Sequence, residues 1–258
     1  MATITGERVN TPEGGFNPTW QRHVAAYAIC AGLIPERGEV LDLGCGVGHS
    51  YELLAPRVTV GVDISAEALA GQERETHAAD MRALPLADGR FASVVSVQSI
   101  EHVPDPERVL AEVVRVLKPG GTAVFVTPNR LTFAAPEEII DPYHYVEYDP
   151  DQLAALCRPH FATVEILGIA GSARYRALTD EEKVRLRRLL DRDPLRLRRL
   201  VPRRARQRLY DLMLTRARRD PDPRTQEITP GDFSLTREGI EESLDLIALC
   251  TAPGGERG

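Results

Sequence analysis

The chain has 258 residues, 43% of them hydrophobic, with 32 basic against 38 acidic residues and a formal net charge of −6. That apolar fraction supports a sizeable core and excludes a disordered chain, and the acidic balance argues against general nucleic-acid binding. No stretch approaches the about 20 apolar residues that a membrane-spanning helix needs, and the opening MATITGERVNTPEGG lacks the basic head and apolar run of a secretory signal, so a cytoplasmic location is expected.

In chain order, GERVNTPEGG…WQRHVAAYAI opens the sequence and reads as a lid or flanking helix. Strand-like apolar runs follow at 39–43, 58–62, 92–97 and 122–127, separated by helix-period segments. Ser65 is placed to cap the helix AEALAGQ. DPERVLAEVVRVLKPGG begins at Asp105 with Pro106 as its first helical residue, carries Val109, Leu110, Val113, Val114 and Leu117 on one face, and stops at Pro119-Gly120-Gly121. Strand–helix alternation of this kind implies an α/β fold with parallel strands covered on both faces. Two further strands are expected at 162–171 and 243–253. Between them, residues 179–220 hold 14 Arg and one Lys against seven acidic residues, a balance of +8 on a body that is otherwise −14. Leu186, Leu189, Leu190, Leu195, Leu197, Leu200, Leu209, Leu212 and Met213 recur there at helical spacing, so a helical insertion is expected, broken at Pro194 and Pro202. The four cysteines, Cys30, Cys45, Cys157 and Cys250, form no CxxC pair and read as small apolar residues, not as a disulfide or zinc framework.

VLDLGCGVGHS at 40–50 is the most specific stretch: a strand that ends in a turn with glycines at 44, 46 and 48. Asp63 closes the next strand 21 positions after Asp42, where an acid can accept hydrogen bonds from ribose hydroxyls. The third glycine arrives one residue too early for the dinucleotide fingerprint, and no P-loop Lys-Ser/Thr follows. The spacing resembles motif I of class I S-adenosylmethionine (SAM) methyltransferases. GVDIS (61–65), AADMRALPLADGRFASVVSVQSIEHV and RVLKPGGTAVFVTPN resemble the succeeding motifs, in order, over about residues 36–130. The resemblance implies a Rossmann-like seven-stranded sheet of order 3-2-1-4-5-7-6 with strand 7 antiparallel, helices on both faces and the insertion between the last two strands. It implies SAM as cofactor and S-adenosylhomocysteine as product. It places Asp42, Gly44, Cys45, Gly46, Gly48, Asp63, Ile64, Asp80, Met81, Gln98 and Ser99 at the cofactor, with Asp80 accepting from the adenine amino group and a Cβ at any of the three glycines colliding with the ligand.

The acceptor side is less specific. His144, in DPYHYVEYDP after the fifth strand, is the leading general base; His102 and Glu101, after the fourth strand, are the other catalytic candidates. Arg8, Trp20, His23, Tyr143 and Tyr145 are candidate acceptor contacts. The N-terminal segment, DPYHYVEYDP and the Arg-rich insertion together are similar to actinobacterial sugar O-methyltransferases, in particular the mycobacterial type acting on mannosides in polymethylated-polysaccharide synthesis. That implies a small-molecule or oligosaccharide acceptor. Asp141, Glu137, Glu138 and Glu147 offer oxygens for a divalent cation such as magnesium, but no spacing demands one and no metal is assigned. The organisation expected is a lid segment over 1–35, a SAM-binding domain made of 36–178 and 221–253, and the insertion as an acceptor lid. The rival readings are methylation of RNA, using the basic insertion, methylation of a quinone or natural product, and SAM binding without catalysis.

Overall fold

The computed structural model describes residues 17–48, 51–133, 139–191, 193, 201–217 and 222–255. Eight strands form one sheet: β1 (Val40–Leu43), β2 (Thr59–Asp63), β3 (Thr76–Ala78), β4 (Phe91–Val97), β5 (Leu117–Pro128), β6 (Thr163–Gly171), β7 (Phe233–Thr236) and β8 (Asp245–Thr251). Their order is β3-β2-β1-β4-β5-β8-β6-β7. The first five are mutually parallel, β8 runs antiparallel to both β5 and β6, and β7 is antiparallel to β6.

The expected order therefore holds through its antiparallel penultimate strand, but the count is corrected from seven to eight by the edge strand β7. FSLT alternates apolar and polar residues, but it spans only four positions, and with Leu235 exposed and Phe233 alone buried it is too short to stand out as a strand.

Side chains alternate across the sheet into two cores. Leu41, Leu43, Phe125 and Leu246 face one core with α3 (Pro106–Val116) and α4 (Pro150–Cys157), while Val40, Val124, Val126 and Ile247 face the other with α1 (Asn17–Leu33). The short α2 (Ala66–Leu69) is capped as expected, Ser65 accepting from the Ala68 N–H. In α3, Val109, Leu110, Val113 and Val116 are buried, and the chain turns straight into β5 at Leu117. The described part of the N-terminal segment is α1, whose Ala25, Ala26, Tyr27 and Cys30 are buried against the sheet. All four cysteines are buried and free.

Two helices, α5 (Ala173–Leu190) and α6 (Arg203–Ala217), occupy the basic region. They lie between β6 and β7, and α5 begins before Thr179. Leu195, Leu197 and Leu200 fall outside the described residues. Leu209, Leu212 and Met213 are 57%, 65% and 48% exposed, so their helical spacing marks an outward face of α6 and not a core stripe. No helix among the described residues is long and apolar enough to cross a membrane.

Candidate functional site

The turn after β1, the end of β2 and the turn after β4 meet at the carboxyl ends of the parallel strands, where open α/β sheets bind ligands. They enclose a cavity of about 310 Å³. Its wall contains Gly44, Cys45, Gly46, Asp63, Ile64, Asp80, Met81, Gln98 and Ser99, all anticipated from sequence, together with His102, His23 and Tyr145. Trp20, Tyr143 and His144 are not on that wall, and Arg8 lies outside the described residues.

The three glycines differ in purpose. A Cβ on Gly44 falls 2.7 Å from the Ser99 Cβ, and one on Gly48 falls 2.5 Å from Gln72 Cδ. At those two positions the protein's own side chains already exclude a Cβ, a demand of the fold that the sequence reading did not include. Gly48 is also off the cavity wall. Gly46 is the exception: its φ is +53°, and nothing stands within 4 Å of where its Cβ would be. There the backbone is bare toward open space, as a closely approaching ligand requires.

Asp63 stiffens this turn. Its Oδ2 accepts from the Gly46 N–H and its Oδ1 from the Ser65 N–H, both at 2.9 Å. Asp42 is corrected from cofactor contact to foundation. It is buried beneath the turn, accepting from the Tyr27 hydroxyl at 2.8 Å and from Arg74 Nη2 at 2.7 Å. Burial pushes its pKa up, opposed by the Arg74 charge and both hydrogen bonds. Burial also raises the Cys45 thiol to about 12, so this cysteine is no thiolate nucleophile.

On the opposite wall, Asp80 is gripped by Arg82, whose Nε lies 3.0 Å from Oδ1 and Nη2 2.6 Å from Oδ2. The Arg82 hydrogen bonds hold the Asp80 carboxyl below its ordinary range. Gln98 adopts φ +52°, rare for a residue with a Cβ. Its amide donates to Asp245 Oδ1 at 2.6 Å, and Arg22 of α1 pairs with the same buried carboxylate. Strain at Gln98 is thus held by a buried ion pair that ties α1 to β8 beside the cavity.

Behind the His102 wall lies a cluster of acids and imidazoles. His102 Nδ1 donates to the Tyr143 carbonyl at 3.3 Å, and its ring meets that of His144 edge-on with centroids 5.0 Å apart. His144 is buried, with Nδ1 2.8 Å from Glu147 Oε1 and Nε2 4.0 Å from Asp141 Oδ2. Burial alone would lower the His144 pKa; the Glu147 hydrogen bond and the charges of Glu101 and Asp141 outweigh it and raise it. Glu101 has no exposed surface; Thr127 donates to its Oε2 at 3.0 Å and burial raises its pKa. Of the acids considered for a cation, Asp141 and Glu147 join this cluster, and Glu137 and Glu138 lie outside the described residues.

Helix α6 packs on the same segment. Arg203 donates to the Pro142 and Tyr143 carbonyls at 2.8 and 2.9 Å and stacks 3.6 Å above the Tyr145 ring centroid. The Tyr143 hydroxyl reaches Asp211 at 2.6 Å. A second cavity of about 770 Å³ adjoins the first at Val103, Pro104 and Tyr145. Sequence reasoning missed Arg74, Arg82, Asp245 and Arg203. Only Arg82 had a local signal, two residues from Asp80.

Residues 41–125 match the sequence model of a methyltransferase domain. A Mycobacterium tuberculosis protein described as a probable S-adenosylmethionine-dependent methyltransferase is 30% identical over 267 residues, spanning 98% of this chain and 90% of that one. A ubiquinone biosynthesis O-methyltransferase from Methylococcus capsulatus is 34% identical over 126 residues, 44% of this chain and 51% of its own. Among solved structures, a SAM-dependent methyltransferase from Thermotoga maritima aligns with a TM-score of 0.59 at 16% identity, covering 89% of each chain. At that identity the likeness is one of fold.

Proposed function

The chain belongs to the SAM-dependent methyltransferases, and we propose that it methylates a hydroxyl of a small polyhydroxylated acceptor, a sugar or short oligosaccharide of the mannoside type. When bound, SAM supplies a methyl carbon on a sulfonium. Gly46 would leave room for it, Asp63 would take its ribose, and Asp80 and Met81 would take its adenine. Gly44, Cys45, Ile64, Gln98 and Ser99 complete the wall.

The observation that carries the hydroxyl reading is the imidazole pair. An oxygen nucleophile must lose its proton as the new bond forms, whereas a neutral amine attacks through its own lone pair. A carbonyl only accepts, so the His102 Nδ1 that faces Tyr143 O carries hydrogen, and its Nε2 holds the lone pair. His102 is the imidazole on the cavity wall; His144, the base favoured from sequence, stands against it, held by Glu147. We assign proton removal to this pair, with Glu101 beneath it. Tyr145, which lines both cavities, and His23 contact the acceptor. Tyr143 positions the loop through Asp211. The adjoining larger cavity supports an acceptor longer than the reacting unit, and α6 braces its loop.

The test is transfer of labelled methyl from SAM to methyl α-mannoside, a mannobiose, a quinol and RNA. Label appearing in a sugar is expected; label confined to quinol or RNA sinks the acceptor class. Replacing His102 or His144 by Ala should lower kcat by about 10²–10⁴-fold while SAM affinity holds, and the larger loss identifies the proton acceptor.

A further inference from the structure

Helix α6 turns its polar side to the protein and its apolar side to water. Inward, Arg203 and Gln207 donate to the Pro142 carbonyl, the Tyr210 hydroxyl donates to Asp141, and Asp211 accepts from the Tyr143 hydroxyl. Outward, Leu209, Leu212 and Met213 are exposed, as is Val201 two residues before the helix. A surface helix ordinarily does the reverse and buries its apolar stripe. The exposed stripe implies a second apolar surrounding.

The stripe is bordered by charge. At about 100° per residue, the outward side runs in the order Arg204, Arg208, Leu212, Leu209, Met213 and Arg206. Arg204 and Arg208 are exposed and Arg206 is half-buried. The one acid of α6, Asp211, is buried and bonded to Tyr143, so the outward side is positive. Apolar side chains between arginines make a helix that lies in the interface of a bilayer: the apolar groups enter beneath the headgroups, and the long arginine stems leave the guanidinium ends at the phosphates. We propose that α6 docks this chain on an anionic lipid surface, lying along the membrane plane. At 15 residues, five of them arginine, it lies on the bilayer and does not cross it.

Charge sets the orientation. Residues 179–220 balance at +8 and the remainder at −14, so anionic lipids attract the insertion and repel the body. The docked helix is also the one whose Arg203 holds Tyr143 and Tyr145, and Tyr145 lines both cavities, so docking brings their rim close to the lipid surface. Two other occupants fit this face less well. A second copy pairing α6 with α6 about a two-fold axis sets like charges against each other. Single-stranded RNA is held by exposed aromatic platforms as well as by charge, and the aromatic residue of α6, Tyr210, is turned inward to Asp141.

The experiment is co-sedimentation of the full chain with vesicles of phosphatidylcholine alone and of phosphatidylcholine mixed with phosphatidylglycerol. Binding is expected to the mixed vesicles only, and it should weaken as salt rises. Arg204→Gln with Arg208→Gln should weaken it about 30-fold, and Leu209→Gln with Leu212→Gln at least about tenfold, while Val58→Thr, at an exposed apolar position outside the insertion, leaves it unchanged. Circular dichroism and thermal melts check that each variant is folded. Should one fail, amide exchange in the unaltered chain replaces it: mixed vesicles should slow exchange across 204–213 and leave α3 as it is. No binding, equal binding to both vesicle types, equal binding by the folded variants, or unchanged exchange in α6 each overturns the proposal. So does a contact that forms without lipid: light scattering that shows a dimer lost in the leucine variant assigns the face to a second copy, and RNA bound in place of vesicles assigns it to nucleic acid.

Discussion

Gly46→Ala separates a ligand's demand for space from the fold's. The backbone at Gly46 has φ +53°, so alanine there incurs the left-handed penalty of about 1–2 kcal/mol. Nothing else opposes it, because no atom lies within 4 Å of the new methyl group. For a chain of this size that penalty corresponds to a fall in Tm of roughly 2–8 °C. The same methyl group enters the cavity where SAM is proposed to lie close to backbone, so S-adenosylhomocysteine affinity should fall at least about 30-fold, some 2 kcal/mol. Gly44→Ala is the counter-case. Its Cβ lands 2.7 Å from the Ser99 Cβ, inside the packed base of the turn, and displacing that buried serine should unfold or severely destabilise the protein. Calorimetric titration with S-adenosylhomocysteine and thermal melts of both variants decide it. If Gly46→Ala binds like the unaltered protein, or if Gly44→Ala melts at the same temperature as Gly46→Ala, the division of roles among the glycines is wrong.

Asp63→Ala removes the acceptor for two backbone N–H groups as well as the proposed ribose contact. Cofactor affinity should drop by about 1–3 kcal/mol, with faster amide exchange at Gly46 and Ser65; unchanged affinity by calorimetry refutes the assignment. Arg203→Ala loses two carbonyl contacts and the Tyr145 stack, so acceptor KM should rise several-fold with SAM affinity intact, and steady-state kinetics that show the reverse sink the bracing role. Asp232 is held well below its ordinary pKa by Arg174, with further hydrogen bonds from Ser172 and Thr229. A depressed carboxylate contributes stability that is full above its unfolded pKa, about 3.9, and is lost as pH falls through the folded value. In urea melts the advantage of the native chain over Asp232→Asn should therefore hold from pH 7 to about pH 4 and begin to narrow, without vanishing, by about pH 3; curves that stay parallel contradict this.

What the sequence made legible was local. The strand–turn–strand run from Val40 to Asp63 could be read because its geometry is set within a few residues, and so could the capped start at Ser65 and the Pro106 start of α3, where Asp105 holds the cap position without a side-chain hydrogen bond. The misreadings follow from partners far along the chain. Asp42 looked like a ligand residue because Tyr27 and Arg74, 15 and 32 positions away, are invisible as its partners. Gln98 does line the cavity as expected, but the hydrogen bond from its amide to Asp245, 147 positions on, could not be read. Gly48 was credited to a ligand because Gln72 could not be placed beside it. In the insertion, helical spacing of Leu209, Leu212 and Met213 revealed a face without saying which way it pointed.

The two halves of the site are built on different principles, and this bears on how the chain diverges from partial relatives. The cofactor half is mostly backbone geometry: a bare Gly46, two N–H groups fixed on Asp63, and a strained Gln98. Such geometry tolerates little change, so similarity there identifies the cofactor and is silent on the acceptor. The proposed acceptor half is side chains delivered by elements distant in sequence. His102 and Glu101 follow β4, His144 and Glu147 follow β5, and Arg203 reaches in from α6. Its chemistry can change by substitution without disturbing the turn at Gly46. A relative matching only the motif region, such as the O-methyltransferase that shares 44% of this chain, carries information about the first half alone. The mycobacterial relative, matched over 98% of the chain, extends over the 141–147 loop and α6 as well. Its acceptor is therefore the more informative comparison for the imidazole cluster, because the loop and its helical brace are matched together.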